Sequence, residues 1–187
     1  MHKISTYLAV SLIIISGITG YILGYSQTPE YQAQMFNKTS MDLGKAGKLF
    51  DLNYLNAMIS HHTSAMLLAK QAQTHSQKTE IQTLAKKILS DEPPAIAELY
   101  EFKQQWYKDQ RKVKTPQVAN LGQADDKFDL RFLNALITHH EESLVMTKET
   151  LLKTTRTETL NNANAVDNFL KTTLPILQNW RKEWYGI

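Results

Sequence analysis

One helical phrase occurs twice in this chain, and each time it ends in a His-His pair. The first copy reads Phe50-Asp51-Leu52-Asn53-Tyr54-Leu55-Asn56-Ala57-Met58-Ile59-Ser60-His61-His62. The second reads Phe128-Asp129-Leu130-Arg131-Phe132-Leu133-Asn134-Ala135-Leu136-Ile137-Thr138-His139-His140. The register holds without a gap as far as Trp106-Tyr107 against Trp184-Tyr185. A self-match of this kind marks a duplication, so each copy is one supersecondary unit and the fold must accommodate two of them.

Within each copy the apolar residues follow the helical period. Phe50, Tyr54, Met58, Ala65 and Ala69 place one helix from Leu49 to about His75. Ile81, Leu84, Ala85, Ile88, Ile96, Leu99, Phe102 and Trp106 place a second from Lys78 to about Gln110. Pro93-Pro94 is expected to kink or break that helix, and Pro175 sits in a similar place in the other unit. Residues 111–126, with Pro116 and Gly122, read as the connection between units. A third helix is expected from about Lys127 to Lys153 and a fourth from Arg156 to Tyr185. No strand signal appears. The fold class is therefore all-α: a four-helix bundle over 49–187, made of two tandem antiparallel hairpins (repeats 49–110 and 127–187). Packing about a pseudo-two-fold axis would bring both His-His helices toward one core.

Ahead of the bundle, Ile4 to Tyr25 carries no charge and is long enough for a membrane-crossing helix. Its exit, Gly20-Tyr21-Ile22-Leu23-Gly24-Tyr25, has Tyr where a cleavage site wants small residues, which favours an uncleaved anchor over residues 1–25. Lys3 lies on the short side, so the N-terminus is expected in the cytoplasm and the bundle in the periplasm, at the membrane. Secretion after signal cleavage is the alternative. Residues 26–48 read as a polar tether.

Composition narrows the chemistry. The net charge of +3 is spread among nearly as many acids as bases, with no basic stripe, which argues against nucleic acid as a partner. Cysteine is absent, so thiolate metal sites and thiol catalysis are excluded. The Glu-x-x-His pairs of di-iron bundles, the His-Glu-x-x-His of zinc proteases, a glycine-flanked serine and a phosphate-binding glycine loop are all missing. The chain reads as a binding protein and not an enzyme.

The candidate ligands are imidazoles and thioethers. Residues three and four apart share a helix face, so Met58, His62 and Met66 form one stripe. In the second copy Leu136 and Leu144 replace the two methionines, while His139 shares a face with Glu142 and, two turns on, Met146. This donor set suits Cu(I) above all, with Cu(II) or Zn(II) at the imidazoles. Neither helix has enough ligands alone, so a site must be completed across the bundle. A Met stripe is more often core filler and a His on it a packing residue. A structural or interaction bundle without metal is accordingly the competing reading. Asp51 and Asp129 are early-turn acids favoured by the helix dipole.

These residues resemble the bacterial domain-of-unknown-function family numbered 305. Its signature of Asp, then Phe-Leu, then Met-x-x-His-His, then Ala-x-x-Met-Ala is followed by Asp51, Tyr54-Leu55, Met58 to His62 and Ala65 to Ala69, with Leu68 at the second Met. Asp129, Phe132-Leu133, His139-His140 and Met146 follow it in the second copy. The chain departs from the family on the second helix, with Glu92, Ala95-Ile96 and Leu99 in place of a Gln, a Glu-Ile pair and a Met. Leu170, Thr173-Leu174 and Leu177 stand there in the second copy. The resemblance implies a ferritin-like bundle, secreted or membrane-anchored, that binds copper for storage, buffering or resistance. Met58, His61, His62, His139, His140 and Met146 match the motif and are its implied ligands. Their affinity is expected to fall below about pH 6, where an ordinary imidazole takes up a proton.

Overall fold

Apolar residues recurring every three to four positions produce four long helices in the computed structural model, which describes residues 43–187. They are α1 (Phe50–His75), α2 (Thr79–Tyr107), α3 (Phe128–Lys153) and α4 (Thr157–Tyr185). The anchor expected at residues 1–25 and most of the tether lie outside the described residues. Among the described residues no helix is long and apolar enough to cross a membrane.

Short joints fold α1 onto α2 and α3 onto α4, giving two antiparallel hairpins. The hairpins join through α1 and α3, and no comparable interface links α2 to α4. The start of α1 meets the end of α3: Thr154 Oγ1 donates to Asp51 Oδ1 at 2.6 Å. The end of α1 meets the start of α3, where the rings of His75 and Phe128 lie 5.4 Å apart. The first helices of the two copies therefore run antiparallel.

Matching contacts in the two copies reveal the pseudo-two-fold relation. The Asn53 amide donates to the Leu43 carbonyl at 3.1 Å, and Arg131 Nε donates to the Leu121 carbonyl at 2.5 Å. Gly44 and Gly122 take φ of 77° and 79°, a left-handed conformation that suits glycine. The repeated geometry thus begins upstream of Leu49 and Lys127, in segments that read as tether and linker. Phe102 stacks on Trp106, and Trp180 on Trp184. Arg156 covers the ring of Trp106, and Lys78 that of Trp184, so each copy lends a cation to the other's tryptophan. Asp51, beyond its place in the first helical turn, joins the same lock, its Oδ2 3.5 Å from Arg156 Nε.

Helices α2 and α4 run unbroken through Pro93-Pro94 and Pro175. A kink or a break was expected, because proline removes an amide donor and crowds the preceding turn, and the break does not occur. All three prolines are exposed, so water can satisfy the carbonyls left without amide partners.

Two apolar clusters fill the interior. One gathers Tyr54, Leu55, Met58 and Ile59 with Met146 and Ala163. The other gathers Leu68, Ala69, Ala72 and Ile81 with Phe132, Leu133 and Leu136. Between them, midway along α1 and α3, lie the histidines.

Candidate metal centre

Helix α1 carries His61-His62 and α3 carries His139-His140, and antiparallel packing brings the doublets together. His61 and His139 stack face to face, with centroids 3.9 Å apart and planes 11° from parallel. They are the same residue of the two copies, so the pseudo-axis passes between them. His62 lies 5.5 Å from His61 and His140 lies 6.0 Å from His139. All four imidazoles are buried, His139 completely.

Burial sets their charge. Dehydration holds His61 and His139 well below the usual histidine range, and the neighbouring imidazoles push the same way. Burial brings His140 down to about 4, against a weaker upward pull from its hydrogen bond to the Leu136 backbone. At neutral pH these three rings are uncharged, the form in which an imidazole ligates a metal. Glu142 is half-buried and pushed up to about 7, first by burial and then by Glu141, and it does not line the cavity described next.

Because α2 and α4 do not close on each other, a groove of about 530 Å³ opens between them with the histidines as its floor. Leu84, Ile88, Val166, Phe169 and Leu170 form apolar walls, and Lys87 and Asp91 pair at 2.5 Å beside it. His61, His62, His139 and His140 all reach this groove. Met58 and Met146 do not. They pack in one apolar cluster next to the histidines, 0% and 3% exposed. Met66 is half-buried and belongs to neither the groove nor that cluster.

Sequence reasoning gave Glu92 no role in a site, yet its carboxylate contacts His62 Nδ1 directly. No periodicity within α1 could reveal this, because the contact crosses from α2. The equivalent residue in the second copy is Leu170, which also lines the groove. His140 faces the ring of Phe169 at 6.2 Å.

The donor set fits a soft or borderline cation. A metal-bound histidine usually directs its other N–H to a carboxylate or carbonyl, and candidates for that role lie near two of the rings. The Glu92 carboxylate touches His62 Nδ1, and the Leu136 backbone lies near His140. The arrangement is not preformed, however. Among the described residues no three His, Cys, Asp or Glu side chains stand so as to hold one ion. Stacked rings explain this: imidazole lone pairs lie in the ring plane, and one ion cannot lie in two parallel planes 3.9 Å apart. Ligation by both rings requires at least one to turn.

Fold and centre together define a duplicated-hairpin helical bundle with a buried histidine quartet. Residues 51–125, the first hairpin and the linker after it, match the family described as Domain of unknown function (DUF305). No match is found among curated proteins. Solved structures of CopM are similar. Its Cu(I)-bound form aligns at TM-score 0.65 and 25% identity, over 73% of this chain and 98% of that one. The Ag-bound form obtained by co-crystallization gives TM-score 0.65 and 26% identity over the same shares. The Cu(II)-bound form gives TM-score 0.61 and 25% identity, over 72% of this chain and 97% of that one.

Proposed function

We propose that this chain is a copper-binding protein that stores or buffers the ion, with His61, His62, His139 and His140 as its imidazole ligands. Met58 and Met146, in the adjoining cluster, supply thioether sulfur when the ion is Cu(I). Zn(II) is the alternative cargo at the imidazoles. The observation that carries this reading is the convergence of four buried imidazoles, three of them held neutral, on the floor of one groove. The likeness to copper- and silver-bound CopM supports it. Residues 1–25 anchor the protein, with the bundle on the extracytoplasmic side, where it meets incoming metal. The role is binding, not catalysis.

Anaerobic Cu(I) titration of the full chain tests this. Changing all four histidines to Ala should abolish uptake, and unchanged uptake would remove them from the role. Copper held at a hundred times its dissociation constant should add about 2.7 kcal/mol to the unfolding free energy.

The stacked pair favours a second reading, in which the histidines only pack the hairpin interface. It requires an unfolding temperature that does not move with metal.

A further inference from the structure

The two doublets are equivalent by duplication but not by chemistry. His62 Nδ1 contacts the carboxylate of Glu92, while the matching place beside His140 holds Leu170. The side chains of His62 and Glu92 are 11% and 18% exposed, so this contact is largely shielded from water. Both ring nitrogens of His62 are buried without a formed hydrogen bond among the described residues, and it is Nδ1 that lies against the Glu92 carboxylate. A carboxylate lying against one ring nitrogen favours the proton there, which would leave the lone pair on Nε2.

The groove's other carboxylate cannot serve in the same way. Asp91 is paired with Lys87, and its charge is offset there. Glu92 is thus the one carboxylate among the groove-lining residues without a cationic Lys or Arg partner in the described ion pairs. Apolar walls screen charge poorly, so an incoming dication gains more from a nearby anion than a monocation does. We propose that Glu92 is a positioning and selectivity residue: it fixes His62 as an Nε2 ligand and makes the first doublet the end that takes a divalent ion, Cu(II) or Zn(II). The inference rests on the copper-binding reading for its metal, but the tautomer it assigns to His62 exists without metal.

The test uses the metal-free full chain first. Ring ¹⁵N shifts should show His62 protonated on Nδ1 in the wild type and in E92Q, whose amide oxygen still accepts. In E92L, which installs the residue of the other copy, that preference should be lost. Zn(II) and Cu(I) titrations follow. E92L should lower Zn(II) affinity by about 10- to 100-fold and leave Cu(I) affinity much less changed, with E92Q between them for Zn(II). A His62 protonated on Nε2 in the wild type overturns the positioning role. Equal losses for both ions in E92L, or no loss for Zn(II), overturn the selectivity. Uptake of Cu(I) with no uptake of Zn(II) or Cu(II) by the wild type sinks this inference and spares the copper reading. No uptake of any of these ions sinks both.

Discussion

His61 and His139 stack at 3.9 Å because they are one residue written twice, meeting itself across the pseudo-axis between α1 and α3. Only neutral rings pack comfortably in this way. Two imidazolium ions face to face in a dry interface would repel each other and lose their hydration together.

The first prediction is acid sensitivity of the metal-free protein. His61, His139 and His140 have lowered pKa values in the folded chain, so below about pH 6.5 the unfolded state binds more protons than the native one. Their contribution to stability is fully present above that pH and is lost as pH falls through the folded values. His140, at about 4, accounts for on the order of 3 kcal/mol of this. Urea unfolding between pH 8 and about 4 should show the decline, and His140→Leu should flatten part of it.

Burial also changes the expected pH dependence of metal uptake. An ordinary imidazole would begin to lose its metal to protons below about pH 6. With His140 titrating near 4 and the stacked pair also held well below the usual histidine range, proton competition by these three is displaced to more acidic pH. Cu(I) affinity measured at pH 7 and about 5.5 should differ little, provided the fold is shown intact at both.

Met58→Leu separates packing from ligation. The second copy already carries Leu136 at the matching position, and a Met-to-Leu exchange in a core costs less than about 1.5 kcal/mol. If Met58 contributes sulfur, the variant folds normally and binds Cu(I) more weakly. Met58→Ala, in contrast, leaves a void in the cluster and should cost about 2–5 kcal/mol.

Tyr54 ties the hairpins together. Its hydroxyl donates to Asn162 Oδ1 at 2.6 Å from an otherwise apolar cluster, and burial pushes its pKa far up. Tyr54→Phe reproduces Phe132 of the other copy, so the ring should still fit. The lost hydrogen bond should lower stability by about 1 kcal/mol, read from chemical denaturation.

Gly44→Ala and Gly122→Ala should each cost about 1 kcal/mol, because both positions have left-handed φ. An added Cβ would meet only ordinary contacts, Asn53 at 3.7 Å and Arg131 at 3.5 Å. The penalty is therefore one of backbone conformation, and similar losses in the two variants would mark the two turns as repeats of one structure.

The helices were legible because each amphipathic stripe is local. Expected and observed ends agree to within a residue or so, apart from the end of α2, which stops at Tyr107. Whether the prolines break their helices was not legible, because the outcome depends on exposure, which a residue string does not record. Glu92 stood in plain view as a departure from the family, yet its role could not be read, since the partner is on another helix. Met58 and Met146 shared faces with the histidines in each helix, but the bundle turns them toward the apolar cluster and leaves the groove floor to imidazole.

Periodicity and duplication fixed two amphipathic hairpins and a histidine doublet at the middle of each first helix, because those properties follow from residues a few positions apart. The stacking of His61 on His139, the loss of their charge, the open groove above them and the Glu92 contact all depend on where distant segments meet. Dehydration and ring contact are set by the whole surrounding shell of atoms, and that shell exists only once α1 and α3 have packed.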